Sequence, residues 1–90
     1  MYDLTSFQMA LLRAILKLGE PTGSQLIDEV GQYPGDARSP AAYYRNLKKL
    51  SDTGLVTTVG MAEDKRSNVY SLTEAGERKL QKIQDFWRVV

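Results

Sequence analysis

The sequence predicts an α+β fold, mainly α with a small β-hairpin. Apolar residues recur at steps of three and four in four separate segments, and between the third and fourth the period falls to two. Gly and Pro punctuate the segments, and Ser or Thr stands at the helix starts. The order is helix, helix, helix, strand, strand, helix, without an internal repeat. Ninety residues suit one small domain spanning 1–90.

The first helix is expected over 4–18. Thr5 and Gln8 have capping-box spacing, and Leu4 and Met9 have hydrophobic-staple spacing. Phe7, Ala10, Leu11, Ala14, Ile15 and Leu18 form one apolar face, and Met9, Leu12 and Leu16 form a second stripe beside it. Gly19 and Pro21 stop the helix. Ser24 opens a shorter helix over 24–30, with Leu26, Ile27 and Val30 as its apolar positions. A Gly- and Pro-bearing loop follows. Ser39 caps the third helix, 39–53, and Pro40 takes the favoured first position. The hairpin occupies 55–72, with "LVTTVG" and "NVYSL" as strands around the polar turn "MAEDKRS". Thr73 caps the last helix, 73–89. Its Leu80, Ile83, Trp87 and Val90 step by three and four, like a coiled-coil seam.

Composition excludes several function classes. The chain has no Cys and no His, which removes thiolate and imidazole chemistry, the commonest general base and the commonest transition-metal ligand. No carboxylate pair has motif spacing. No catalytic residue, metal site or cofactor is expected, and the chain is not read as an enzyme. No apolar run reaches membrane-span length and the N-terminus lacks a signal-peptide pattern, so a cytoplasmic protein is expected.

Charge is distributed unevenly. Four of the twelve basic residues lie in "RSPAAYYRNLKKL" (38–50), which has no acidic residue, while the other eight face eleven acidic ones. Two helices, a capped third helix and then a hairpin is the order of a winged helix-turn-helix, whose third helix enters the DNA major groove. If Tyr43, Leu47 and Leu50 face the core, then Ala41, Arg45 and Lys48 point away, with Ala42 and Lys49 towards one edge and Tyr44 to the side. Small residues at the helix start allow close approach, and its free N–H groups favour phosphate. Arg45 has the fork that pairs with guanine, while Lys48 and Lys49 suit phosphates. Ser39 completes the candidate face. At the hairpin turn Lys65 and Arg66 repeat the basic theme, beside Glu63 and Asp64. A dimer interface is expected from Met9, Leu12 and Leu16 together with Leu80, Ile83, Trp87 and Val90, since a domain this small gains from a partner.

"YYRNLKKLSDTGLV" followed by "VYSLTEAGERKL" resembles the PadR-like family of winged-helix transcriptional regulators. Tyr43-Tyr44 occupies that family's Leu-Tyr pair. Leu47, Leu50, Gly54, Leu55 and Val56 match its continuation, and Tyr70, Leu72, Thr73 and Gly76 match the end of its wing. The start, "DLTSFQMALL", resembles short archaeal members. The resemblance implies a prokaryotic cytoplasmic homodimer, held by its terminal helices, that binds double-stranded DNA at an inverted repeat and usually represses transcription, being nucleoid-associated when bound. It also implies a backbone contact by Tyr44 and wing contacts by Lys65 and Arg66. Related regulators often take planar effectors between subunits; Trp87, Phe86 and Phe7 could line such a space, although interface core is the preferred reading of all three, and the effector is unknown. Ser39-Pro40-Ala41 departs from the family pattern, because Ala41 and Ala42 replace side chains able to hydrogen-bond. One helix follows the wing, where larger members carry a long C-terminal helical domain. The competing reading is a winged-helix protein–protein interaction module without DNA binding.

Overall fold

The computed structural model describes residues 4–32, 38–60 and 67–89. They form four helices, α1 (Ser6–Leu18), α2 (Gly23–Gly31), α3 (Pro40–Asp52) and α4 (Glu74–Val89), and an antiparallel hairpin of β1 (Val56–Val59) and β2 (Val69–Leu72). The loop at 33–37, the hairpin turn at 61–66 and Val90 lie outside the described residues.

Helix α1 opens with a complete capping box. The Gln8 backbone N–H donates to Thr5 Oγ1 at 3.0 Å, and the Thr5 N–H donates to Gln8 Oε1 at 3.1 Å. The helix then runs through the middle of the fold and packs against α2, α3, α4 and β2. That central position explains its two apolar stripes. Phe7, Leu11, Leu12, Ala14 and Ile15 are all buried within the chain itself. Leu12, expected to await a second subunit, is fully buried and is therefore core. Leu16 and Leu18 remain exposed. Gly19 ends α1 at φ 89°, a left-handed value that an L side chain rarely adopts.

Helix α2 begins one residue earlier than its Ser24 start suggests. Thr22 is the N-cap, in a second capping box with Gln25. The same short segment edges the sheet. The Tyr70 N–H donates to the Pro21 carbonyl at 2.9 Å, the Gly23 N–H donates to the Asn68 carbonyl at 3.2 Å, and Thr22 bridges Val69. Strand β2 therefore has a backbone partner on both sides, and the hairpin is fastened to the α1–α2 linker. Two or three residues carry no periodicity, so this bridge left no trace in the sequence pattern. Lys17 and Glu29 pair at 2.8 Å between α1 and α2.

The hairpin pairs Val56 with Leu72 and Val59 with Val69. Its base is locked to α3 and α4 by one junction. The Leu55 N–H donates to the Leu50 carbonyl at the end of α3, and the Leu55 carbonyl accepts from the Thr73 N–H at 3.1 Å. Thr73 Oγ1 donates to the Gly54 carbonyl at 2.6 Å and accepts from the Gly76 N–H at 3.0 Å, which caps α4. Gly76 sits directly on the Leu55 backbone, and a Cβ there would collide with the Leu55 carbonyl oxygen. The core beneath is one cluster, in which Leu26 and Val30 of α2, Tyr43, Leu47 and Leu50 of α3, Val56, Tyr70 and Leu80 close around α1.

Gly76→Ala tests this junction. In an ordinary helical position the change stabilises by about 1 kcal/mol. Here the obstacle is backbone that cannot rotate aside, so the expected outcome is destabilisation of at least about 2 kcal/mol. Urea unfolding of the two proteins measures it; equal or greater stability in the variant would mean that the close approach is not rigid.

Candidate nucleic-acid interface

Helix α3 divides into a buried and an exposed side. Tyr43, Leu47 and Leu50 are buried, and Phe7 meets Tyr43 edge-on with ring centroids 5.0 Å apart. The Arg38 guanidinium lies 4.2 Å over the other ring of that pair, Phe7, and so ties the segment entering α3 to the core. On the opposite side Ala41, Arg45, Lys48 and Lys49 are exposed and Ala42 is half-buried. Ser39 is exposed and its Oγ accepts from the Ala42 N–H at 3.3 Å as the N-cap. The acidic side chain on this face, Asp52 at the helix end, pairs with Lys48 at 3.1 Å. Both members are solvent-exposed, so the pair is weak and yields readily to a competing anion. The face is thus small at its N-terminal end and cationic along its middle.

A polar network fixes how α3 is rotated. Gln8 Nε2 donates to Asn46 Oδ1 at 3.0 Å, and Asn46 Nδ2 donates to the Ala42 carbonyl at 2.8 Å. Sequence reasoning took Gln8 only as a capping-box residue and passed over Asn46. The available signal was Gln8 itself, a polar residue next to Phe7 inside an apolar stripe.

Beside α3, a groove separates the helix from the hairpin. Ala41, Arg45 and Lys48 line one wall, and Thr58 and Asn68 the other. Tyr44 and Tyr70 form its floor. The Tyr44 hydroxyl is buried there, so in this arrangement it is not presented to a phosphate as the family resemblance implies. The reason is packing: Tyr44 leans against the core rather than outwards. Lys65 and Arg66, the expected wing contacts, lie outside the described residues.

The expected dimer residues separate into two groups. Leu80 and Ile83 are buried by α1 within the same chain and, like Leu12, belong to the domain core. They form the floor of a groove between α1 and α4 whose rim carries Met9, Ala10 and Trp87. Trp87 is 64% exposed, Leu16 52% and Phe86 46%, and the Phe86 and Trp87 rings meet edge-on at 5.4 Å. Met9 is half-buried, and Val90 lies outside the described residues. Phe7 is core beneath Tyr43, so it does not share a cavity with Trp87 as the aromatic-effector expectation supposes.

The model of the transcriptional regulator PadR-like family matches residues 11–82, most of the chain. The chain belongs to the PadR-like family. That family is one of winged-helix, DNA-binding transcriptional regulators and is not enzymatic. No curated protein matches the chain. Among solved structures, the chain is similar to hsRosR-S4, seen in a complex, with 31% identity, a TM-score of 0.81 and coverage of 93% of this chain and 70% of that one. It is similar in fold to an E. coli MarR mutant complexed with operator DNA, with 24% identity, a TM-score of 0.72 and coverage of 89% and 53%. It is also similar in fold to Bordetella bronchiseptica BpsR, whose DNA binding is regulated by 6-hydroxynicotinic acid, with 19% identity, a TM-score of 0.78 and coverage of 98% and 64%. The chain spans about half the length of the E. coli MarR chains that it matches. Among the described residues, no helix is long and apolar enough to cross a membrane.

In this PadR-like chain the groove floor also carries a shifted phenol. Burial, and secondarily the neighbouring Tyr44, push Tyr70 above the ordinary value of 10.0, and a hydrogen bond with Asn68 partly opposes them. The native state therefore holds this proton more tightly than the unfolded chain does. The resulting stability is complete below pH 10 and is lost as pH rises from there through the raised value. Urea unfolding from pH 8 upwards should show stability falling above pH 10, with a shallower fall in Tyr70→Phe. An identical slope in the two proteins would place the titrating group elsewhere.

Proposed function

We propose that the chain is a homodimeric transcriptional repressor that binds an inverted-repeat DNA site through α3. The observation that carries this reading is the exposed side of α3: Arg45, Lys48 and Lys49 project together from a helix whose other side is held in the core. The E. coli MarR relative was solved with operator DNA, which supports the same use of the fold here. Ala41 and Ala42 let the helix start approach base edges, Arg45 reads guanine, and Lys48 and Lys49 neutralise phosphates. Ser39 and the N–H groups of the first turn add a phosphate contact. Lys65 and Arg66 at the hairpin turn contact the neighbouring backbone and contribute affinity more than sequence choice.

The subunits pair through the surface formed by Met9, Leu16 and Trp87, continued by Phe86 and Val90. A two-fold axis there matches a palindromic site, with the two α3 helices roughly 34 Å apart, one turn of B-DNA. The protein acts in the prokaryotic cytoplasm, on the nucleoid.

Two measurements test the reading. Selection of duplexes from a random pool should return an inverted repeat. Arg45→Ala with Lys48→Ala should stay folded, since both side chains are exposed, while lowering the slope of log affinity against log salt by about two units. Unchanged affinity and slope would favour the protein-binding module instead. For the dimer, Trp87→Asp should sediment as a monomer where the parent is a dimer. Operator affinity should then drop by more than tenfold, because two half-sites are no longer engaged together. A monomeric parent that binds the operator normally would refute the pairing.

A further inference from the structure

We infer that Gln8 and Asn46 are a positioning pair that sets the aim of α3, and with it the discrimination between specific and random DNA. The inference rests on α3 being the DNA-reading helix. Neither residue points at a ligand; both act through the helix that they hold.

Gln8 is the buried polar residue among the described residues, 8% exposed, at the edge of the core between α1 and α3. Each half of its amide is committed. The oxygen accepts from the Thr5 N–H and completes the start of α1, and the nitrogen donates across the interface to Asn46. Asn46 is committed in turn, because its nitrogen donates to the Ala42 carbonyl one turn earlier in α3. Reversing either amide would set two acceptors or two donors face to face. The network therefore has one polarity and one geometry. It ties the first turn of α1 to the first turns of α3, beside Arg45.

Beside it, apolar side chains build the α1–α3 contact: Phe7 meets Tyr43 edge-on, and Leu11, Leu47 and Leu50 belong to the same core cluster. Apolar packing is not directional and tolerates small rotations of a helix about its axis. The hydrogen bond does not. At a helix radius of roughly 5–6 Å, a 20° rotation moves the Asn46 side chain by about 2 Å, which breaks the bond. The same rotation swings the longer Arg45 and Lys48 side chains further still. Pairing with base edges fails at such displacements, whereas a phosphate attracts a displaced cation nearly as well.

The test uses the full chain with Gln8→Met and Asn46→Leu combined. Replacing both partners by apolar groups leaves neither side-chain amide unsatisfied, and the Thr5 N–H that loses its acceptor belongs to an exposed residue that water can serve, so the fold is retained. The ratio of operator to random-duplex affinity should fall about tenfold, with random-duplex affinity within twofold of the parent. Residual dipolar couplings of α1 and α3 amides, recorded without DNA, should show α3 rotated or its orientation broadened. Asn46→Asp, which keeps the acceptor towards Gln8 and loses the donor to Ala42, should fall between the two. An unchanged ratio with unchanged couplings in the double variant would overturn the inference. If the parent selects no operator at all, the DNA-binding reading fails, and the couplings alone decide whether the pair sets the helix: unchanged couplings overturn it and a reoriented α3 sustains it.

Discussion

The close approach of Gly76 to the Leu55 backbone, which leaves no room for a Cβ, is the constraint on which the arrangement of the other parts depends. Leu55 receives α3 through its bond to Leu50 and passes the chain into β1. Its carbonyl then takes the Thr73 N–H as the chain leaves β2. Thr73 closes the ring by bonding Gly54 and capping α4. Helix α3, the hairpin and α4 thus share one small knot of backbone. A side chain at position 76 would push α4 away from the hairpin and take Leu80 and Ile83 out of the core. The run of Leu72, Thr73 and Gly76 that the family shares has this mechanical meaning. The Thr is needed for a hydroxyl that donates and accepts at once, and the Gly for the absence of a Cβ.

From that knot the chain builds outwards around α1. A helix that touches α2, α3, α4 and β2 must be apolar on most sides, and α1 is apolar on most sides. It also carries the capping box at its start and, on the same Gln8, the bond to α3. One side chain therefore links the nucleation of the central helix to the orientation of the helix that presents the cationic face. The opposite end of α1 is different in kind. Leu16 and Leu18 are exposed, and the Lys17–Glu29 pair joins that end to α2. The polar, directional contacts cluster where α3 is held, and the uncommitted apolar surface clusters near Leu16 and Trp87.

Much of this was legible in the sequence, and the parts that were not share a cause. Helix periodicity, the Thr5–Gln8 box, the Ser39-Pro40 start and the period-two strands are local signals, and local signals survive translation into one dimension. The division of α3 into a Tyr43-Leu47-Leu50 side and an Arg45-Lys48 side followed from the same periodicity. What periodicity cannot say is which neighbour covers a stripe. Leu12 and Leu16 look alike in the sequence; one is fully covered by the chain's own elements and the other is left half exposed. Leu80 and Ile83 looked like a seam for a partner and proved to be the seam with α1. Thr22 and Gln25 carry the capping-box signature as clearly as Thr5 and Gln8, but Pro21 beside them reads as a linker, which hid both the cap and the bridge to Val69. The burial of the Tyr44 hydroxyl depends on Tyr70 and Asn68, more than twenty residues away, and no local pattern reports it.

The composition of the cationic face gives the aim of α3 unusual weight. A recognition helix that opens with several hydrogen-bonding side chains spreads its discrimination over many contacts, each of which can compensate for error in another. Here the first turn offers Ala41 and Ala42, which can touch a thymine methyl but cannot donate or accept. Lys48 pairs with Asp52, and Lys49 lies at the edge. Under the proposed reading, base choice by hydrogen bonding falls largely on Arg45. A single forked side chain discriminates only if its root is held still, since its two donors must reach two acceptors together. The residue next to it in the chain is Asn46, anchored to Gln8 on one side and to the Ala42 carbonyl on the other. The sparseness of the reading face and the rigidity of its mounting are two sides of one solution. On the proposed reading, with few donors to read with, the fold places the Gln8–Asn46 network where it steadies the donor that remains.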